Sequence, residues 1–552
     1  MRSNHVRFGA AGAAALLGLL CLRCGMDASA EAGSATNGDP NAIGGSASSA
    51  GAGVAIGGTP GAGMVPSGGS SSGGGGGAPP IVVPPEVELE ESFLAPVVTG
   101  KYVFSANPKS GRVAVIDAET YAVKLFNAGF GPTYLTAIPG ERGAIVINEL
   151  SHDTTLFRLD GDEVSVDPAA LAVHEGANAW AVSTDGRFAI AWTRTDAGEA
   201  LDPTGGSQDI TVLDLTEGTS TRLAVGFHPT QVVIDDQSRK GFVVNDDGVS
   251  VVELGDEPQV SLLVQVSEDP LEEPAARDVS ILPDGSFAVV RVEGSNLLRI
   301  VNLAAENELQ LFDLGAPIAD VDLSRDGKLA LAAVPGYRQV VLVPMPPTVP
   351  ADELERVTIP GEIPSSVTLA DESELALLYQ NGEDNSHLTI LDLRSDMARA
   401  LRTVDVKGPV SAAFAAPGAA SAIALQKPIA GSSKAGLFSG VPTLERRSAK
   451  IVGTDAAPTA LTFDESGGFA LVTIGSEKTK TYGVYCVRLD TMQEDFLPLA
   501  SPPATGATGI VERVGRGFVA QQHPEGRITF IELETARAHT ITGFELAARI
   551  LQ

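Results

Sequence analysis

From about residue 100 onward, apolar and polar positions fall into short alternating runs, not the 3.6-residue rhythm of a helix. Ile210 to Leu215 (ITVLDL), Leu298 to Leu303 (LRIVNL), Leu388 to Leu393 (LTILDL) and Ile528 to Leu533 (ITFIEL) are versions of one strand that finishes on an acid or amide next to a last leucine. That polar residue recurs as Asp117, Asp214, Glu253, Asn302, Asp392 and Glu532. A second landmark is a small residue or proline followed by another alternating strand. It starts near Gly131, Ala177, His228, Ala275, Pro317, Ile363, Gly408, Ala457 and Ala504, with successive starts 42 to 51 residues apart. Between the landmarks lie the turns Thr184-Asp185-Gly186, Pro283-Asp284-Gly285 and Arg325-Asp326-Gly327. Glycine accepts positive φ there, and aspartate bonds the turn's own backbone.

A period in the mid-forties with four short strands per unit is that of β-propeller blades; leucine-rich repeats are shorter, and helical repeats carry a different rhythm. The expected fold is therefore all-β, a propeller of about ten four-stranded units, nine of them clear and one shared between the ends of the chain. One large ring is favoured, with two smaller rings as the alternative. The first unit begins at its second strand, Lys101 to Ala106, and Gly543 to Leu551 (GFELAARIL) reads as a first strand without the rest of its blade. Pairing of these N- and C-terminal strands is expected to close the ring and remove an open sheet edge. The recurrent acids are expected to form turns, because the same chemistry appears wherever a hairpin is needed.

Tyr102 to Asp117 (YVFSANPKSGRVAVID) and Gly131 to Asn148 (GPTYLTAIPGERGAIVIN) resemble the YVTN-type repeats of surface-layer and lactonase-like propellers. The resemblance covers about 450 residues as architecture. It implies a fold and not a particular chemistry, since one scaffold hosts many functions.

The chain divides into residues 1–30, 31–87 and 88–552. Arg2 and Arg7 followed by the apolar run Phe8 to Leu22 predict an export signal. Ala28-Ser29-Ala30 suits an ordinary signal peptidase, whereas Cys24, or Cys21, would be the lipidated residue of a bacterial lipoprotein; Cys24 is preferred over Cys21. Leu20 and Arg23, in front of these cysteines, depart from the small residue usual there. Residues 31–87 are Gly-, Ser- and Ala-rich, then Pro-rich, and predict a tether without a core. The 88–552 segment is the propeller.

A formal charge of −31 excludes a nucleic-acid partner, which needs a basic surface. The seven histidines show no zinc spacing, and no haem-attachment, phosphate-loop or G-x-S-x-G motif is present, so no cofactor is expected. Asn245-Asp246-Asp247-Gly248 lacks the calcium-loop pattern. Cys486, in the alternating run YGVYCVRL, predicts a buried small side chain. What remains is the set of loops between second and third strands, where a rigid scaffold positions variable residues. The candidate ligand-face residues are Asp196, Glu199, Asp202, Glu383, Asp384, His387, His523 and Glu525. The expected protein is an exported, monomeric, non-enzymatic module that binds an envelope protein or glycan and touches a membrane only through a lipid anchor. A lactonase-like or other hydrolytic propeller and a structural envelope-assembly protein are the alternatives.

Overall fold

Short runs such as FAIAW and LALAAV, bounded by glycine turns, are too brief for helices and rich in residues that pack on a pleated surface. In the computed structural model they form strands. The structure describes residues 96–194, 208–269, 271–304, 308–370, 375–380, 385–394, 400–523 and 526–544. Among these, ten antiparallel sheets of four sequential strands form a ring, a β-propeller. The blades span residues 97–127, 132–166, 179–224, 231–264, 277–313, 320–358, 366–405, 410–454, 457–498 and 503–542, here blades 1 to 10.

All nine landmarks based on small residues or proline open first strands, from Pro132–Ile138 in blade 2 to Pro503–Val511 in blade 10. First strands of neighbouring blades meet. Between blades 6 and 7, Asp320 and Asp322 each accept a backbone N–H, from Val367 and Leu369, both at 2.7 Å. The acids and amides at third-strand ends act as expected. Asp117 Oδ1 accepts the N–H groups of Glu119 (2.8 Å) and Thr120 (2.9 Å), and Asp214 Oδ1 those of Thr216 (2.9 Å) and Glu217 (3.0 Å). Asn302 does the same for Ala304, and Asp392 for Arg394.

The core lies between blades. One apolar cluster packs Phe104, Val113 and Val115 of blade 1 against Leu135, Val146 and Phe157 of blade 2, and comparable clusters follow around the ring. Blades 8 and 9 meet through Phe438 and Tyr485, edge to face at 5.3 Å. The last cluster joins Phe518, Ile528 and Phe530 of blade 10 to Val103 and Ile116 of blade 1, so there is one ring.

Closure corrects one expectation. Blade 1 takes all four of its strands from residues 97–127, and the place reserved for residues 543–551 is held by Val97–Thr99, paired with Tyr102–Asn107. Residues 545–552 lie outside the described residues. The seam is side-chain packing: the Arg516 guanidinium donates to Ala118 O and to Glu119 O (2.9 Å) and lies over the Tyr121 ring, while Tyr121 stacks on His539 at 4.1 Å. Val97–Thr99 is only three residues long and follows a proline-rich acidic stretch, which hides its strand character in the sequence.

Cys486 is buried as expected. Its thiol lies 3.7 Å from Leu533 O, and burial pushes it up to about 11, so it stays protonated at neutral pH.

Candidate functional site

Strands alternate in direction within each blade, so the loops joining second to third strands and those joining one blade to the next emerge on one face. The other two loop sets, including the Asp-Gly turns, emerge on the opposite face.

The loop face is held down by a recurrent latch centred on the third strand. In blade 2, Thr155 Oγ1 accepts the N–H of Gly129 (3.1 Å) and an amide hydrogen of Asn148 (3.0 Å). In blade 4, Ser250 Oγ accepts from Gly226 N–H (3.1 Å) and Asn245 (3.0 Å). Both glycines are required by the close approach: a Cβ on Gly226 would lie 1.9 Å from Asn245 Oδ1, and one on Gly129 2.5 Å from Asn148 Nδ2. In blade 10, Gln521 donates to Thr529 Oγ1 (2.7 Å) and accepts from Ser501 N–H (3.1 Å). In blade 8, Ser439 donates to Gln426, whose amide holds Val406 O (2.8 Å) and Gly408 O (2.9 Å).

Blade 3 varies the latch. Thr211 Oγ1 accepts His174 N–H at 3.0 Å and lies 2.9 Å from His174 Nδ1, while Thr193 Oγ1 lies 3.2 Å from Nε2. Burial pushes the His174 imidazole down to about 4, so it is neutral at pH 7. Blade 5 replaces the hydroxyl by Arg299, which grips Glu272 of the preceding inter-blade loop through both carboxylate oxygens, one of them at 2.8 Å. Sequence reasoning missed these residues.

In blade 7 the corresponding Thr389 bonds Thr403 (2.9 Å) and lies under a shallow surface dimple bordered by Ile363, Leu378, Tyr379, Asn385 and Glu362. His387 stands beside Glu362, Nδ1 to Oε1 3.3 Å, and its N–H donates to Asn385 Oδ1 at 3.0 Å. This dimple encloses no space for even one water molecule, so it is not a small-molecule pocket.

Of the sequence-predicted ligand-face residues, His387 therefore stands beside this dimple, against Glu362 and Asn385. His523 sits in the blade 10 loop, where its carbonyl accepts Gly526 N–H at 3.0 Å. Blades 8 and 9 lie between these two histidines along the chain. Asp196, Glu199, Asp202, Glu383, Asp384, Glu525 and Cys24 lie outside the described residues. Among the described residues, no three His, Cys, Asp or Glu side chains gather closely enough to hold a metal ion.

Large apolar side chains project from the same face: Phe130 (75% exposed), Leu150 (73%) and Leu271 (90%). Phe130 and Leu150 belong to neighbouring loops, joined by Leu150 N–H to Phe130 O at 3.0 Å.

The opposite face carries one unusual carboxyl. Glu512, just after the first strand of blade 10, accepts Glu465 N–H at 3.0 Å. Its side chain keeps a solvent-exposed edge, yet burial of the carboxyl, reinforced by Asp464 and Glu465, pushes it up to about 7. Arg513 next to it reaches Glu141 (3.6 Å) and Asp162 (3.3 Å). The sequence signal was an acid in a position where other blades place Asp-Gly.

No family model matches the chain. No curated protein matches it either. Many solved structures do. They include dihydro-heme d1 dehydrogenase NirN in complex with DHE (13% identity, 76% of each chain, TM-score 0.40) and Kuenenia stuttgartiensis hydrazine synthase (17%, 55% of this chain and 96% of that one, TM-score 0.29). Another is apo AztD from Citrobacter koseri (11%, 61% and 92%, TM-score 0.36). At these identities the likeness is one of fold.

Proposed function

We propose that this chain is an exported, cell-envelope β-propeller that binds a protein or glycan through its loop face and turns over no substrate. The observation that carries the reading is the exposure of Phe130, Leu150 and Leu271 on loops held by hydrogen bonds to third-strand side chains. Exposed apolar side chains on a rigid frame are what a macromolecular partner covers. In this reading the export pattern of residues 1–30 supports an outer-membrane or cell-surface location through lipid on Cys24, with a periplasmic or secreted product as the alternative if Ala30 marks the cleavage. Affinity capture from envelope extracts and a glycan array, both with the full chain, test the binding. A preparation that captures nothing and hydrolyses a lactone overturns it. Replacing Cys24 by Ala tests the anchor, which is contradicted if fatty-acid labelling persists.

A second reading, a lactonase-like hydrolase of the YVTN class, has one observation in its favour. Glu512 is poised near neutrality, where a general acid–base works best. Turnover of lactone or ester substrates that vanishes in Glu512→Gln, with folding unchanged, would replace the first reading by this one.

A further inference from the structure

Among the described residues of the loop face, blades 4 and 5 contrast in charge with blades 8 and 9. Blades 4 and 5 and the loop between them expose Asp247, Glu268, Asp269, Glu273 and Glu293. Blades 8 and 9, with the loop entering blade 8, expose Lys407, Lys427, Lys434, Lys478 and Lys480, in a chain whose net charge is −31. Asp405, Asp455 and Glu477 pair with Lys407, Lys434 and Lys480. Lys427 and Lys478 have no ion pair among the described residues.

Ten blades set neighbours about 36° apart. A two-fold axis lying in the loop face, from the junction of blades 1 and 2 to that of blades 6 and 7, exchanges blade 4 with blade 9 and blade 5 with blade 8. It brings the acidic sector of one copy over the lysine sector of the other, twice. The same axis passes the junction of blades 1 and 2, where Phe130 and Leu150 project. A patch on a two-fold axis meets its own image, as an isologous contact requires.

We propose that the loop face pairs with the loop face of a second copy of this chain, Phe130 and Leu150 meeting across the two-fold axis and acidic blades 4 and 5 facing lysine-bearing blades 9 and 8. This rests on the reading of the loop face as an interaction surface, names a second copy as its partner, and replaces the single copy expected from sequence. Contacts between exposed charges are screened by salt, so pairing weakens steeply with ionic strength.

Sedimentation velocity of the full chain at tens of micromolar is expected to give a dimer at low salt and a monomer at about 0.5 M salt. Phe130→Asp with Leu150→Asp, Lys427→Glu with Lys478→Glu, and Glu268→Lys with Glu273→Lys should each leave a monomer with unchanged melting. Mixing the last two variants should restore a dimer, because both of its charged contacts then join opposite signs. Phe130→Cys should give a disulfide-linked dimer under mild oxidation that the parent chain does not form. Monomer at every concentration in low salt overturns the proposal, as does a dimer indifferent to all three variants or a mixture that stays monomeric. A monomer that still captures an envelope component, and loses it in the Phe130 and Leu150 variant, sinks the pairing but upholds the binding reading. A dimer obeying every charge rule while capturing nothing else confines that reading to self-association.

Discussion

A hydroxyl in the middle of the third strand fixes loops that lie far from it in sequence. Thr211 is buried and serves both the backbone and the ring of His174. Thr211→Val should cost about 1–3 kcal/mol by leaving a buried N–H without its acceptor, and Thr211→Ser should restore most of it; urea unfolding measures both. Comparing DIT, GVS and RIT in register would have exposed the latch. In a single strand, Ser or Thr merely occupies the polar phase of the alternation and reads as solvent-facing.

Two titrating residues pull stability in opposite directions. His174 sits near 4 when folded against an ordinary 6.5, so the unfolded chain takes up a proton that the native one refuses. Its contribution is complete above pH 6.5 and lost as pH falls toward 4, by roughly 3 kcal/mol. Glu512 sits near 7 against 4.5, so the native state keeps a proton that the unfolded chain releases. Its contribution is present below pH 4.5 and lost as pH rises through 7, damped by the solvent at its exposed edge. Denaturation from pH 4 to 8 should show His174→Gln flattening the acid limb and Glu512→Gln flattening the neutral limb.

At the scale of elements, the sequence is most transparent where backbone chemistry repeats. Gly186, Gly285 and Gly327 all have φ between 64° and 68°, as Asp-Gly turns demand. They are not equally replaceable. A Cβ on Gly285 would lie 2.0 Å from the Phe242 ring, whereas one on Gly218, also at positive φ, meets nothing within 4 Å. Gly218→Ala should cost only the left-handed conformation, about 1–2 kcal/mol, and Gly285→Ala distinctly more, since Phe242 must also move; comparing their denaturation midpoints checks the difference. The nine first-strand starts were legible because proline and small residues mark them. His387 was expected in a loop, whereas it opens the third strand of blade 7; its partner Glu362 was not legible, since the inter-blade loop that supplies it is brought alongside only by the fold.

At the scale of the whole molecule, the blade count followed from the period, but the manner of closure did not. Three residues, Val97–Thr99, complete blade 1, and the ring is sealed by Arg516, Tyr121, Phe530 and His539. Tyr121→Ala should therefore destabilise the body by about 2 kcal/mol while it still unfolds in one cooperative transition; a separate early transition confined to blade 10 would show that the seam does not couple the ring.

The central claim is that the latched loop face, and not the face of Asp-Gly turns, meets a macromolecular partner. The most direct measurement is capture from envelope extract by three full chains compared side by side: the parent, Phe130→Asp with Leu150→Asp, and Glu465→Gln on the opposite face. The expected result is a specific component retained by the parent and by Glu465→Gln and lost by the loop-face variant at equal melting temperature. Capture that survives the loop-face substitutions and fails in Glu465→Gln would contradict the account.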